Sequence, residues 1–262
     1  MQQKCIDLIK ELTNKQYVLI TDRANISIKL CLKLMQEQGI ENILLQDQGG
    51  WITYKQFAKK FKLNIIELKT DHGLINNISN KTKSALLINS MPSYAYLQDM
   101  DKIEKQCKKN KTIIINDTSG SIGQEQGTIG DLIFASFGKN KPVNLGQGSF
   151  IATDNKEFYD VLNDINRPKI IIDFDKLHDK LINLKQRINK FNKTNKKIKE
   201  ELKDHDIIHE NKLGFNVIVK YKNESELSKI TSYCENNKYE FVLCPKYIKV
   251  LEQAVSIEVV RL

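Results

Sequence analysis

Short apolar runs alternate with amphipathic stretches through the first 155 residues, and that alternation predicts a sheet interleaved with helices. Residues 17–20, 42–45, 64–68, 85–89, 112–116, 131–135 and 149–153 read as seven strands. Residues 25–38 place Ile28, Cys31, Leu32 and Met35 on one helical face, and 53–61 and 98–109 read as further helices. Strands of near-continuous Ile, Leu and Val with helices between them imply an α/β fold, its mostly parallel sheet covered on both faces. The loop between the last two strands is too short for a helical crossover, so that pair is expected to run antiparallel.

Past Thr153 the texture changes. One long lysine-rich helix is predicted from about 173 to 204, followed by short strands at 215–221, 239–243 and 255–260. A helix at 224–236 separates the first two of these. The pattern divides the chain into a large domain at 1–160 and a small α+β domain at 161–262.

A net charge of +9 raises the question of nucleic acid. Arg23, Arg167, Arg187 and Arg261 are the only arginines among 41 basic residues, so lysine dominates, as solvated faces favour. The densest basic stretch, 185–203, carries Ile188, Phe191 and Ile198 and ends in acidic residues, which reads as a solvated helix face, so a nucleic-acid partner is not expected. No apolar run approaches the roughly 18 residues of a membrane span. The N-terminal stretch MQQKCIDLIKELTNKQ reads as a charged amphipathic helix and not as a secretory leader. Cys5, Cys31, Cys107, Cys234 and Cys244 show no metal-ligand spacing along the chain, so no metal is expected. They read as free thiols of a reducing cytoplasm and as small core residues.

In an open parallel sheet, ligands bind beyond the carboxyl ends of the strands, and the chemistry-bearing residues fall there. Thr21-Asp22-Arg23-Ala24-Asn25 follows the first strand and opens the first helix, where backbone N–H groups suit an anion. Trp51 follows the second strand behind Gly49-Gly50. Asp117 ends the fifth strand, Ser136 the sixth, and Lys141 precedes the glycine-punctuated turn Gly146-Gln147-Gly148. A strand-end carboxylate, a strand-end hydroxyl and a lysine are the groups that hold pyridoxal phosphate. Singly, each has a plainer reading: Asp117-Thr118-Ser119-Gly120 as a cap, Trp51 as a packing residue, Lys141 as one lysine among many.

Ser136-Phe137, three residues, Lys141 and then Gly146-Gln147-Gly148 resemble the SFxxxK…GEGG signature of the DegT/DnrJ/StrS aminotransferases. Asp117 to Gly123 resembles that family's DAAQAHG segment, and Gly130-Asp131 its GD. The resemblance covers roughly residues 15–155. It implies a pyridoxal-phosphate-dependent transferase (fold type I) architecture, with Lys141 as the Schiff-base lysine and proton shuttle and Asp117 on the pyridine nitrogen. It also implies Ser136, Arg23 and Ala24 at the cofactor phosphate and Trp51 stacked on the ring. The expected reaction is amino transfer between small molecules in a homodimer.

The departures are specific. Gly120 stands where the family has glutamine, DRAN replaces SGT at the phosphate, and the C-terminal part is shorter than in typical sugar aminotransferases. A nucleotide-sugar substrate is therefore not expected. The loop from Asn89 to Tyr96 is a candidate lining for a smaller substrate, and Arg261 a candidate for a substrate carboxylate. A catalytically altered binding or regulatory protein, or another pyridoxal-phosphate enzyme such as a lyase, are the alternative readings.

Overall fold

The computed structural model describes residues 1–262. Helix α1 (Gln2–Thr13) leads into β1 (Tyr17–Thr21), α2 (Ala24–Glu37), β2 (Asn42–Gln46), α3 (Thr53–Lys60) and β3 (Asn64–Leu68). A small hairpin, β4 (Thr70–Asp71) and β5 (Leu74–Ile75), precedes β6 (Ser84–Asn89), α4 (Met100–Asn110), β7 (Ile113–Asp117), β8 (Leu132–Ser136) and β9 (Ser149–Thr153). The seven long strands form one sheet in the order β1-β9-β8-β7-β6-β2-β3. The expected antiparallel pairing of β8 with β9 is present, and β9 also runs antiparallel to β1. The other pairings are parallel.

The central strands are continuous in apolar residues because both faces are buried, whereas the edge strand β3 is largely open and carries Asn64 and Glu67. On one face, Ile43, Leu45, Leu87, Ile115 and Phe134 pack under α2 and α3. On the other, Leu86, Ile88 and Ile114 pack with Ile103 of α4. Full burial of each such side chain stabilises the fold by about 1.5–3 kcal/mol before conformational entropy is counted. No helix is long and apolar enough to cross a membrane.

After β9 come α5 (Lys156–Ile165), α6 (Phe174–Ile182), α7 (Leu184–Glu201), β10 (Val217–Lys220), α8 (Glu224–Asn236), β11 (Phe241–Cys244) and β12 (Ala254–Ile257). Helix α5 escaped the sequence reading, although Asn155 caps it by accepting the Phe158 N–H at 3.1 Å. The single helix expected over 173–204 is in fact two. The helix breaks at Asn183, whose side-chain amide (2.8 Å) shares the Asp179 carbonyl with its own backbone N–H (3.2 Å), the local competition with helical bonding typical of Asn. The strand expected over 255–260 stops at Ile257, and Val259–Arg261 turns as a 3-10 helix. All five cysteines are buried and unpaired. One core cluster joins Cys5 and Ile9 of α1, Phe150 of β9, Phe191 of α7 and Val255 of β12, so the terminal segments pack together.

Candidate active site

A cavity of about 470 Å3 opens at the carboxyl edge of the sheet. Arg23, Ala24, Trp51, Asp117, Ser136 and Lys141 all line it. Residues separated by more than a hundred positions therefore meet at one place.

One end of the cavity is built for an anion. Helix α2 begins here, and like any helix start it presents backbone N–H groups without helical partners. A buried hydroxyl relay fixes that end to the sheet: Thr21 to Ser27 at 2.7 Å and Ser27 to Ser149 at 2.8 Å. Gly148 ties the wall together. Its N–H donates to Asp22 O at 2.9 Å, its carbonyl accepts the Phe137 N–H at 2.9 Å, and it bridges to Arg23. A φ of +89° and a Cβ position 2.9 Å from Ile172 exclude a side chain there. The Ser136 hydroxyl accepts the Gly138 N–H at 3.1 Å, which leaves its own proton to give to a ligand.

The other end holds the acid, the lysine and the rings. Asp117 is buried; one oxygen accepts the Ser119 N–H at 2.9 Å and the other the Tyr54 hydroxyl. Burial pushes its carboxyl up, while bonds from Ser119 and Tyr54 and the charge of Lys141 pull it back. Burial likewise lowers Lys141, against the opposing pull of Asp117 and Glu258. The Lys141 Nζ lies 4.5 Å from the centroid of Tyr94 and 5.7 Å from that of Trp51. Trp51 is held over the cavity by its indole N–H, which donates to Asn25 Oδ1 at 3.0 Å.

Asn25 and the 89–96 loop, which brings Asn89, Ser93 and Tyr94, reach the cavity as the sequence suggested, whereas sequence reasoning missed Tyr54, Lys249 and Glu258. Lys249 and Glu258 form a buried ion pair at 2.6 Å on the cavity wall, and Ser256 donates to Glu258 at 2.7 Å. A glutamate inside the apolar run VSIEVV was the available signal for this pair. Tyr54 carried none, because an aromatic residue in the 53–61 helix reads as ordinary packing. Arg261, the candidate for a substrate carboxylate, is a cavity residue, and Glu240 holds it at 2.6 Å.

Gly120 acquires a structural explanation. A Cβ there would stand 3.0 Å from both Met91 Cβ and Tyr94 Cδ1. Tyr94 thus crowds the space that the family's glutamine side chain would enter. The Tyr94 turn is clamped from the C-terminal part: its carbonyl accepts N–H groups of Phe215 (2.9 Å) and Asn216 (2.7 Å), and Asn216 Nδ2 donates to Ser93 O at 2.9 Å. Gly214 lies flat against Ala95, leaving no room for a methyl group. Gly214→Ala is therefore expected to destabilise the protein by about 1–3 kcal/mol, the scale of overpacking. A chemical denaturation curve checks this, and an unchanged midpoint would contradict the clamp.

Residues 70–205 match the model of the DegT/DnrJ/EryC1/StrS aminotransferase family. The chain belongs to that family. Residues 185–262 also match the MJ1341 family C-terminal domain. GDP-perosamine synthase of Escherichia coli O157:H7 is 31% identical over 88 residues, which are 32% of this chain and 23% of that protein. The match thus spans about a quarter of that relative. Among solved structures, a family aminotransferase from Brucella abortus aligns with a TM-score of 0.76 at 13% identity, over 98% of this chain and 85% of that one. Helicobacter pylori PseC, an aminotransferase involved in the biosynthesis of pseudoaminic acid, gives 0.76 at 12%, over 97% and 85%. An Escherichia coli GDP-4-keto-6-deoxy-D-mannose-3-dehydratase with bound hydrated pyridoxal phosphate gives 0.75 at 13%, over 97% and 87%. At such identities the likeness is one of fold, and the fold is the pyridoxal-phosphate-dependent transferase (fold type I) architecture expected from the sequence.

Proposed function

We propose that the protein is a pyridoxal-phosphate-dependent aminotransferase acting on small amino donors and acceptors, working as a cytoplasmic homodimer. The observation that carries this reading is Lys141, placed between Tyr94 and Trp51 beside the buried carboxylate of Asp117. The donor set fits the cofactor. An anion-binding helix start and a free serine proton lie at one end of the cavity, and a desolvated acid at the other. When bound, the cofactor supplies an electrophilic carbonyl carbon and a ring that takes up electron density.

Each residue then has a defined task. Ser136, Arg23 and the amides at Ala24 would hold the phosphate. Trp51 would pack against the ring, and Asp117 would keep the proton on the ring nitrogen. Burial lowers the Lys141 pKa, so its amine is neutral at a lower pH than an ordinary lysine and suits both attack and proton carriage. Residues 1–160 hold the cofactor as one domain, and 161–262, as the second, bring Lys249, Glu258 and Arg261 to the substrate side. Arg261 suits a substrate carboxylate once Glu240 is displaced.

Single-turnover mixing of reconstituted protein with individual amino acids tests the proposal. An amino donor should change the visible absorbance and release one 2-oxo acid per cofactor. Cofactor uptake without any donor half-reaction would favour a binding or regulatory role, and release of ammonia with an unsaturated product would favour a lyase. Failure to take up pyridoxal phosphate at all would overturn the enzyme reading.

A further inference from the structure

A second group of chemistry-bearing residues lies away from the cavity. Asp71 and His72 sit at the tip of the β4–β5 hairpin, and His209 lies in the segment between α7 and β10. Their donor atoms lie within 4.8 Å of one another. The His72 Nδ1 is 2.7 Å from Asp71 Oδ1, and the His209 Nε2 is 3.7 Å from that same oxygen and 3.0 Å from the Asp71 carbonyl oxygen. We propose that Asp71, His72 and His209 form a binding site for a divalent transition metal of the zinc class, bracing the hairpin to the C-terminal part of the chain.

Four observations support the site. Zinc bonds to nitrogen and oxygen of about 2.0–2.2 Å set tetrahedral ligands roughly 3.3–3.5 Å apart, and the two separations bracket that value. The far nitrogen of His72 is already committed: Nε2 lies 2.7 Å from Glu252 Oε1. A carboxylate on one imidazole nitrogen fixes the tautomer and leaves the other as the ligand atom, so a bound metal would take the place of the 2.7 Å contact between His72 Nδ1 and Asp71 Oδ1. Tyr96 packs edge-on against the His209 ring at 4.6 Å, and its hydroxyl donates to the His72 backbone carbonyl, tying the two segments together. The two imidazole rings also meet edge-on, with centroids 5.5 Å apart.

The charge is right for a cation. Asp71, Glu252 and Asp206 surround this corner, and Lys220 is the ammonium that faces them, 2.9 Å from Asp206 and 3.5 Å from Glu252. Two neutral imidazoles and one carboxylate leave a fourth position for water. The residues joined are far apart in the chain, 138 positions for Asp71 to His209, so no linear motif reveals them. The hairpin in turn packs on the cavity wall: Gln46 donates to Gly73 O at 2.5 Å, and Gly73 abuts Pro92, two residues before Tyr94.

The test is zinc titration of the chelator-treated full chain against a chromogenic competitor, with thermal unfolding in parallel. One equivalent should bind and raise the melting temperature. His72→Ala and His209→Ala should each weaken binding at least about 100-fold, and Glu252→Gln by about 10–100-fold, while His178→Ala on α6 leaves it unchanged. Magnesium should not compete. Cobalt(II) should give the intense visible bands of a four-coordinate ion. No stoichiometric binding, wild-type affinity in the histidine variants, or only the weak bands of six-coordinate cobalt would each overturn the site. Melting curves without zinc verify folding of each variant, and Glu252→Gln, a half-exposed change, carries the test if a histidine variant does not fold. Because the readouts are metal binding and melting, the result stands apart from the enzymatic proposal.

Discussion

Lys141→Ala is expected to abolish covalent attachment of pyridoxal phosphate and to cut turnover by about 10²–10⁴-fold, the scale of losing a positioned acid–base group. The argument is geometric first. Lys141 is the amine held between two aromatic rings within the field of Asp117. Its chemistry follows from burial, which favours the uncharged amine and lowers the pKa. The sign of the pH effect follows too. A lowered lysine pKa means that the folded state sheds this proton before the unfolded state does. Stability from this group therefore rises with pH through the interval between its folded pKa and 10.5. Reduction with borohydride followed by peptide mass spectrometry should find the cofactor on Lys141, and the label should survive Lys139→Ala. A label elsewhere, or full activity in Lys141→Ala, would remove the central element of the proposed mechanism.

Asp117→Asn should have opposite effects on function and on stability. Activity should fall on the order of 10²-fold or more, as when one preorganised charge is lost from a water-excluded site. Asn is isosteric and retains an acceptor for the Ser119 N–H, but it cannot hold a proton on the ring nitrogen. The cofactor-free protein, by contrast, should melt higher at neutral pH. Burial raises the Asp117 pKa above 3.8, so the folded state binds this proton more tightly than the unfolded state. Its ionisation then costs stability as pH rises through that window, and asparagine has no ionisation to lose. Melting curves of both cofactor-free forms at neutral and mildly acidic pH decide the matter. Wild type should approach the variant as the pH drops. A variant that melts lower at neutral pH would show that the carboxylate is more than compensated by Tyr54, Ser119 and Lys141.

Lys249 and Glu258 show why some of the site resisted reading from the sequence. Both lie in the last segment of the chain, and each is legible only as a charge in an apolar context. Their pairing at 2.6 Å, and their place on the cavity wall, depend on how β12 and the turn after it meet the 92–94 turn. Tyr94 is similar: it lies beside Lys141 because Phe215 and Asn216 hold its carbonyl from across the fold. The long helix expected over 173–204 failed for a local reason. Lysine periodicity runs through Asn183 without interruption, and the side-chain competition that breaks the helix there is invisible to hydrophobic pattern.

The strands were legible because a strand buried on both faces must be continuously apolar, and the polar residue that ends it marks where the chain leaves the sheet. That rule placed Asp117 and Ser136 at strand ends and put Lys141 in the following loop, before any contact was known. The single sequence thereby determined the sheet, its antiparallel final pair and the residues facing the ligand edge. Only the tertiary structure decided what surrounds them. Tyr54 on Asp117, Tyr94 in the space beside Gly120, and Arg261 in the cavity all arise from contacts between distant segments. The meeting of Asp71 and His72 with His209 has the same origin. Hydrophobic periodicity carries information about which face of an element is buried, and none about which distant side chain will be found opposite it.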